Sequence, residues 1–181
     1  MRIAKNQTIA IAVDVQERLF PHIFEHDKLE ENLLRLIPGL RALDIPIIVT
    51  EQYTKGLGVT IPSIREALGD NYAPVEKLSF SCCGVSPVMD QLARAGKKNV
   101  ILFGIETHVC VLQTALDLAQ EGYRPVVIDD CVSSRKPNDK RVALERMRQS
   151  GAVVSTYESI LFEMCVNAGT DQFKAVSKLV K

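Results

Sequence analysis

Short β-branched, apolar runs alternate with longer stretches of helical periodicity along the chain, and that alternation leaves few architectures open. The runs TIAIAV (8–13), IPIIVT (45–50), NVILF (99–103), RPVVI (124–128) and AVVST (152–156) show no polar face. This is the pattern of strands buried from both sides. APVEK (73–77) is a weaker sixth. Helical spacing falls between them at 28–43, where Leu29, Leu33, Leu36, Ile37 and Leu40 share a face, and at 86–95, 107–121, 138–149 and 170–180. Ser86 with Pro87 reads as a helix start, and Gly96, Gly122 and Gly151 close helices in the left-handed conformation. Together these predict an α/β fold with a parallel sheet covered on both faces. No repeat, low-complexity segment or linker divides the 181 residues, so one domain over 1–181 is expected.

Composition narrows the function classes. Hydrophobic residues make up 46% and charged residues 24%, with 22 basic against 22 acidic side chains. A formal net charge of zero gives no footing for nucleic acid or an anionic membrane. No apolar stretch approaches the roughly 20 residues that span a bilayer. The opening MRIAKNQTIAIAVDVQ lacks the length and cleavage pattern of a signal peptide. Five cysteines, Cys82, Cys83, Cys110, Cys131 and Cys165, form no C-x-x-C pair, which removes zinc-ribbon and thioredoxin-type readings. A cytoplasmic chain with reduced thiols is the expectation.

In open parallel sheets, ligands sit beyond the carboxyl ends of the strands. Those ends fall at Asp14, Glu51, Lys77, Gly104, Asp129 with Asp130, and Thr156. Just past Gly104, Thr107 reads as an N-cap, with Val109, Leu112, Leu116 and Ala119 on the apolar face of its helix. Cys110 then occupies the first turn, where free N–H groups lower a thiol pKa and could also bind an oxyanion. The competing reading is a buried, inert packing cysteine. Asp14, ending a hydrophobic strand, is either a base held rigid and partly desolvated or a simple turn cap. Lys77 is either its cationic partner or a solvated surface lysine. Taken together, a thiol, a carboxylate and a cation suit nucleophilic catalysis.

Gln16, Phe20, Gln52, Tyr53 and Phe80 lie near strand ends, where they either line a pocket or serve as loop packing. His22, His26 and Asp27 are close in sequence, but Pro21 and the lack of a further ligand speak against a metal. KGLG (55–58) fits no phosphate-binding pattern and reads as a loop over the site. Neither a metal nor a cofactor is expected.

The segments AVDVQERLFP, TEQYTKGLG, EKLSFSC, GIETHVCVLQTALDL, DDCVSSR and ALERMRQSGA carry a resemblance that runs end to end. The sequence resembles the isochorismatase-like cysteine hydrolase superfamily, and within it the isochorismatase domain-containing proteins. The resemblance implies a Rossmann-like three-layer αβα sandwich with a six-stranded parallel sheet. It also implies Cys110 as nucleophile, Asp14 as general base and Lys77 as the residue orienting the pair. A cis peptide between Ile105 and Glu106 is implied as well, with an oxyanion hole made by the backbone N–H groups of Glu106 and Cys110. The metal-binding histidine of the superfamily's nicotinamidases is missing from TEQYTKGLGVTIP. The expected activity is cofactor-free hydrolysis of a small amide or related carbonyl compound through a thioester. Vinyl ether hydrolysis, or a non-catalytic thiol-responsive binding role, are the alternatives. The resemblance further implies a homo-oligomer, a dimer or larger.

Overall fold

The computed structural model describes residues 2–181. Six strands form the sheet: β1 Thr8–Val13, β2 Ile47–Gln52, β3 Pro74–Lys77, β4 Asn99–Ile105, β5 Arg124–Ser133 and β6 Val153–Ser155. They are ordered β3-β2-β1-β4-β5-β6, and every pairing is parallel. The helices are α1 His26–Ala42, α2 Thr54–Leu57, α3 Pro62–Leu68, α4 Ser86–Ala95, α5 Leu112–Gln120, α6 Pro137–Gln149, α7 Tyr157–Cys165 and α8 Asp171–Leu179. A single π-helical turn, Thr107–Val111, leads into α5.

The period of two along the strands explains the layers. In β1, Ala10 and Ala12 point into the core shared with Leu33, Leu36, Ile37 and Leu40 of α1 and with Ile160 and Leu161 of α7. Ile9, Ile11 and Val13 enter the opposite core with Val88 and Leu92 of α4, Ala115 and Leu118 of α5, and Leu144 and Met147 of α6. TIAIAV is therefore apolar throughout because each of its faces meets a helical layer. The result is the Rossmann-like αβα sandwich, with the strand order reversing direction between β1 and β4. At such a switch point the flanking loops diverge and leave a crevice.

The helices expected at 86–95, 138–149 and 170–180 lie within a residue of Ser86–Ala95, Pro137–Gln149 and Asp171–Leu179. The helices α2, α3 and α7 were not expected, being short or lacking a long apolar stripe. Two further expectations are corrected. β5 continues to Ser133, with its register against β4 shifting between Leu102 and Gly104. Asp129 and Asp130 thus lie in an irregular stretch of strand, and with Lys140 they line a cleft apart from the one described below. Thr107 is also not an N-cap. Glu106 takes that place, and the Thr107 hydroxyl is buried without a partner among the described residues.

Candidate active site

Four neighbouring strands each bring one polar group to the switch point, either onto the crevice or buried just beneath it. Asp14 follows β1 directly and turns the chain with φ 51°, a left-handed conformation that aspartate enters more readily than most side chains. Thr50 comes from β2, and Lys77 is the last residue of β3. Glu106 follows β4, after a cis Ile105–Glu106 peptide, and starts the π-turn that holds Cys110. In that turn the Glu106 carbonyl accepts from Val109 N and Val111 N, passing over Cys110 N.

β1 and β4 come close enough to bring Asp14 and Cys110 together because of one residue. Gly104 pairs with Val13, and a Cβ on it would stand 2.1 Å from the Val13 carbonyl oxygen. Its φ of +114° suits only glycine.

The charged centre is dry. Lys77 Nζ lies 2.7 Å from Asp14 Oδ2, with side-chain exposures of 0% and 1%. The ammonium also donates to Gln52 Oε1 at 2.7 Å, to Phe80 O at 2.9 Å and to Ser79 O at 3.1 Å. The Thr50 hydroxyl donates to Asp14 Oδ1 at 2.8 Å. Burying an ion pair costs desolvation, which the further acceptors around the ammonium and the Thr50 bond to Oδ1 offset in part. Oδ2 has the close ion-pair contact but no aligned hydrogen bond among the described residues. Burial, the largest single influence, works against the Lys77 ammonium, but the charge of Asp14 together with the smaller contributions of its other neighbours outweighs it, so its pKa is raised.

Cys110 is 6% exposed, and its thiol lies beside the Asp14 carboxylate on the wall of the same cleft. Burial, then the negative charge of Asp14, hold the thiol pKa far above its ordinary value, although Lys77 pulls the other way. This corrects the expectation of a thiol acidified by its helix terminus. Loss of water and a neighbouring carboxylate outweigh the helix field. That shift favours the neutral thiol beside the carboxylate.

These groups open onto a cleft of about 240 Å³. Asp14, Gln52, Glu106, Cys110 and Arg135 supply its polar lining, and Leu19, Leu57, Phe80, Ile105 and Val109 its apolar walls. The Glu106 side chain is buried and accepts both Arg135 N and Arg135 Nε on Oε2, each at 3.0 Å.

The pocket candidates from the sequence divide. Gln52 and Phe80 line this cleft. Tyr53 lies on a neighbouring groove with Lys55, Leu78 and Val85. Gln16 is buried, and its amide is spent on the backbone of Gln52 and Gly58, so it braces the end of β2 and the KGLG segment. Phe20 is buried in the α1-side core with its ring edge against His26. Glu51 is likewise occupied, accepting from Thr60 and from the Tyr72 hydroxyl. Among the described residues no group of three or more His, Cys, Asp or Glu side chains is gathered as metal ligands would be.

The sequence profile of the isochorismatase domain matches residues 8–159. The chain belongs to the isochorismatase family. Isochorismatase domain-containing protein 2A of Mus musculus is 39% identical over 181 residues, covering 99% of this chain and 85% of the mouse protein. Isochorismatase family protein 1B of Dictyostelium discoideum is 36% identical over 184 residues, covering 99% and 89%. Among solved structures, the MAR1 ribonuclease from Caenorhabditis elegans superposes with a TM-score of 0.94 at 39% identity, covering 99% of this chain and 92% of that one. The YcaC gene product of Escherichia coli, described as an octameric hydrolase of unknown specificity, has a TM-score of 0.92 at 24% identity, covering 99% and 89%. That likeness is one of fold.

In this isochorismatase-family chain the sequence reading leaves out Thr50 and Arg135. Thr50 sits inside an apolar strand, where a threonine needs a hydrogen-bond partner, and that was the available signal. Arg135 stands in the DDCVSSR segment, and nothing in its spacing points to Glu106.

Proposed function

We propose that the cleft hydrolyses a small amide or related carbonyl compound through a thioester on Cys110. The observation that carries this reading is the doubly directed Asp14 carboxylate. It lies beside Cys110 on the cleft wall while Lys77 and Thr50 fix its two oxygens. In this scheme Cys110 Sγ attacks the substrate carbonyl carbon as its proton passes to Asp14. The carbonyl π electrons move onto oxygen, where the backbone N–H groups of Glu106 and Cys110 receive the charge. Collapse of this intermediate breaks the C–N bond, and the departing amine takes the proton from Asp14. Water then gives a proton to Asp14 and attacks the thioester, releasing the acid. The Cys110 sulfur recovers its proton from Asp14. Lys77 and Thr50 keep the carboxylate in place throughout.

A protonated resting thiol supports a proton transfer coupled to attack, because a free thiolate beside Asp14 would be poorly accommodated. The apolar walls and the volume of about 240 Å³ suit a small substrate. The nematode neighbour carries the name of a ribonuclease. A chain with zero formal net charge and a cleft of this size offers little to a polyanion, so we favour the small-molecule reading.

The test is a panel of small amides assayed with wild type, Cys110→Ala and Asp14→Asn, with intact-mass detection of an acyl adduct. Wild-type turnover with a Cys110 adduct, lost in both variants, is the expected result. Equal turnover in wild type and Cys110→Ala removes the thioester. Activity that survives in Cys110→Ala but not in Asp14→Asn points to vinyl ether chemistry instead.

A further inference from the structure

Arg135 stands out because its partners use only part of it. Its backbone N and its Nε both donate to Glu106 Oε2 at 3.0 Å. The Glu106 side chain is 7% exposed and belongs to the residue that begins the Cys110 turn. Two bonds to one buried oxygen fix the inner end of the arginine against the cleft. The outer edge is different. Neither Nη1 nor Nη2 has a hydrogen-bond partner among the described residues, and the Arg135 side chain is 58% exposed.

The other charges of the cleft are already answered. Asp14 is held by Lys77 and Thr50, and Glu106 by Arg135 itself. Leu19, Leu57, Phe80 and Val109 offer a bound molecule only apolar contact. A neutral substrate would leave the outer guanidinium edge to water. A carboxylate could accept two parallel N–H bonds from it, the geometry in which a guanidinium is strongest and most selective. Glu106 offsets one unit of charge and Asp139 adds a smaller pull, but Glu106 is bonded on the Nε side and leaves the donors of the outer edge free.

We propose that Arg135, anchored by Glu106, selects substrates that carry a carboxylate at the end remote from the carbonyl attacked by Cys110. The substrate class is then a short monoamide, or related monoacyl compound, of a dicarboxylic acid. The choice of substrate end rests on the thioester reading above, whereas anion selection at the cleft does not. Arg135 is a specificity-determining residue and takes no part in bond making.

The test uses Cys110 as a reporter. Wild type, Arg135→Met and Arg135→Lys are alkylated separately with iodoacetate and iodoacetamide, and the rate at Cys110 is read by peptide mass spectrometry. These reagents deliver nearly the same group, one anionic and one neutral, so their rate ratio cancels any general change in thiol reactivity or packing. The ratio of iodoacetate to iodoacetamide should fall about tenfold in Arg135→Met, the scale of one charge-assisted hydrogen bond, and less in Arg135→Lys. An unchanged ratio in both variants overturns the proposal. The same proteins are then assayed on paired amides with and without a remote carboxylate, where Arg135→Met should raise KM mainly for the carboxylated member. A shifted alkylation ratio with no amide hydrolysis leaves anion selection standing and removes the hydrolase reading. Hydrolysis with a flat ratio does the reverse.

Discussion

Thr50 and Asp14 are joined by a 2.8 Å hydrogen bond in which the buried hydroxyl donates to Oδ1 of the carboxylate. With Lys77 on Oδ2, the two oxygens of Asp14 are set by neighbours on two other strands. Asp14 therefore has little freedom to turn away from Cys110.

Thr50→Val keeps the shape of the side chain and removes the donor. The carboxylate then lacks a buried partner worth about 1–3 kcal/mol. On the proposed reaction kcat should fall by about tenfold or more, with KM little changed, because Thr50 touches Asp14 and not the cleft. Thr50→Ser, which retains the hydroxyl, should recover most of the loss. Equal kcat in wild type and Thr50→Val would show that Lys77 alone suffices to hold Asp14.

How far this centre can be read from the chain depends on the kind of signal. The strands were legible because β1 and β4 are apolar on both faces, and only a sheet covered on both sides needs that. Asp14 was legible as a polar residue at the end of such a run, and Lys77 as the end of the weaker, partly exposed β3. Thr50 was not, because a threonine is also an ordinary strand residue, and its task appears only when β2 lies beside β1. Gln16 and Phe20 misled for a related reason. Loop residues near a strand end can face the cleft or turn inward, and the choice rests on long-range partners such as Gly58 O and His26. Helix position is a local signal and argues for a lowered Cys110 pKa, whereas burial and the charge of Asp14, which raise it, are properties of the folded chain.

Lys77 carries a stability prediction of its own. Lys77→Met leaves the Asp14 charge buried without its ion-pair partner and should destabilise the protein by about 3–5 kcal/mol in chemical unfolding. The Asp14→Asn/Lys77→Met double variant removes both charges and should be more stable than Lys77→Met. If the double variant were less stable than either single one, the pair would be a net stabiliser beyond its mutual dependence.

Gly104 tests the closeness of β1 and β4. Gly104→Ala sets a methyl against the Val13 carbonyl at 2.1 Å and forces alanine to a φ of +114°. A loss of about 3 kcal/mol or more is expected, together with lost activity as the Cys110 turn shifts away from Asp14. Gly96→Ala is the comparison. Gly96 has φ +59° with open space around its Cβ position, so the cost there should be about 1 kcal/mol. Similar unfolding midpoints for the two variants would contradict the close approach.

Tyr72 predicts how the fold responds to alkali. Its hydroxyl donates to Glu51 Oε1 at 2.7 Å, and burial followed by that bond raises its pKa to about 12 from an ordinary value of 10.0. The folded state thus favours the neutral phenol, because ionising it would desolvate a phenolate beside a carboxylate. The stability this contributes is complete below pH 10, the unfolded value, and is lost as pH rises to about 12. Tyr72→Phe has no proton to lose. Wild type should be the more stable protein at pH 9 to 10, and its advantage over Tyr72→Phe should shrink steadily up to about pH 12. Urea midpoints measured at half-unit steps give both curves, and ionisations common to the two proteins cancel in their difference. A difference that stays constant across this range would mean that the Tyr72–Glu51 bond does not set the phenol's protonation in the folded chain.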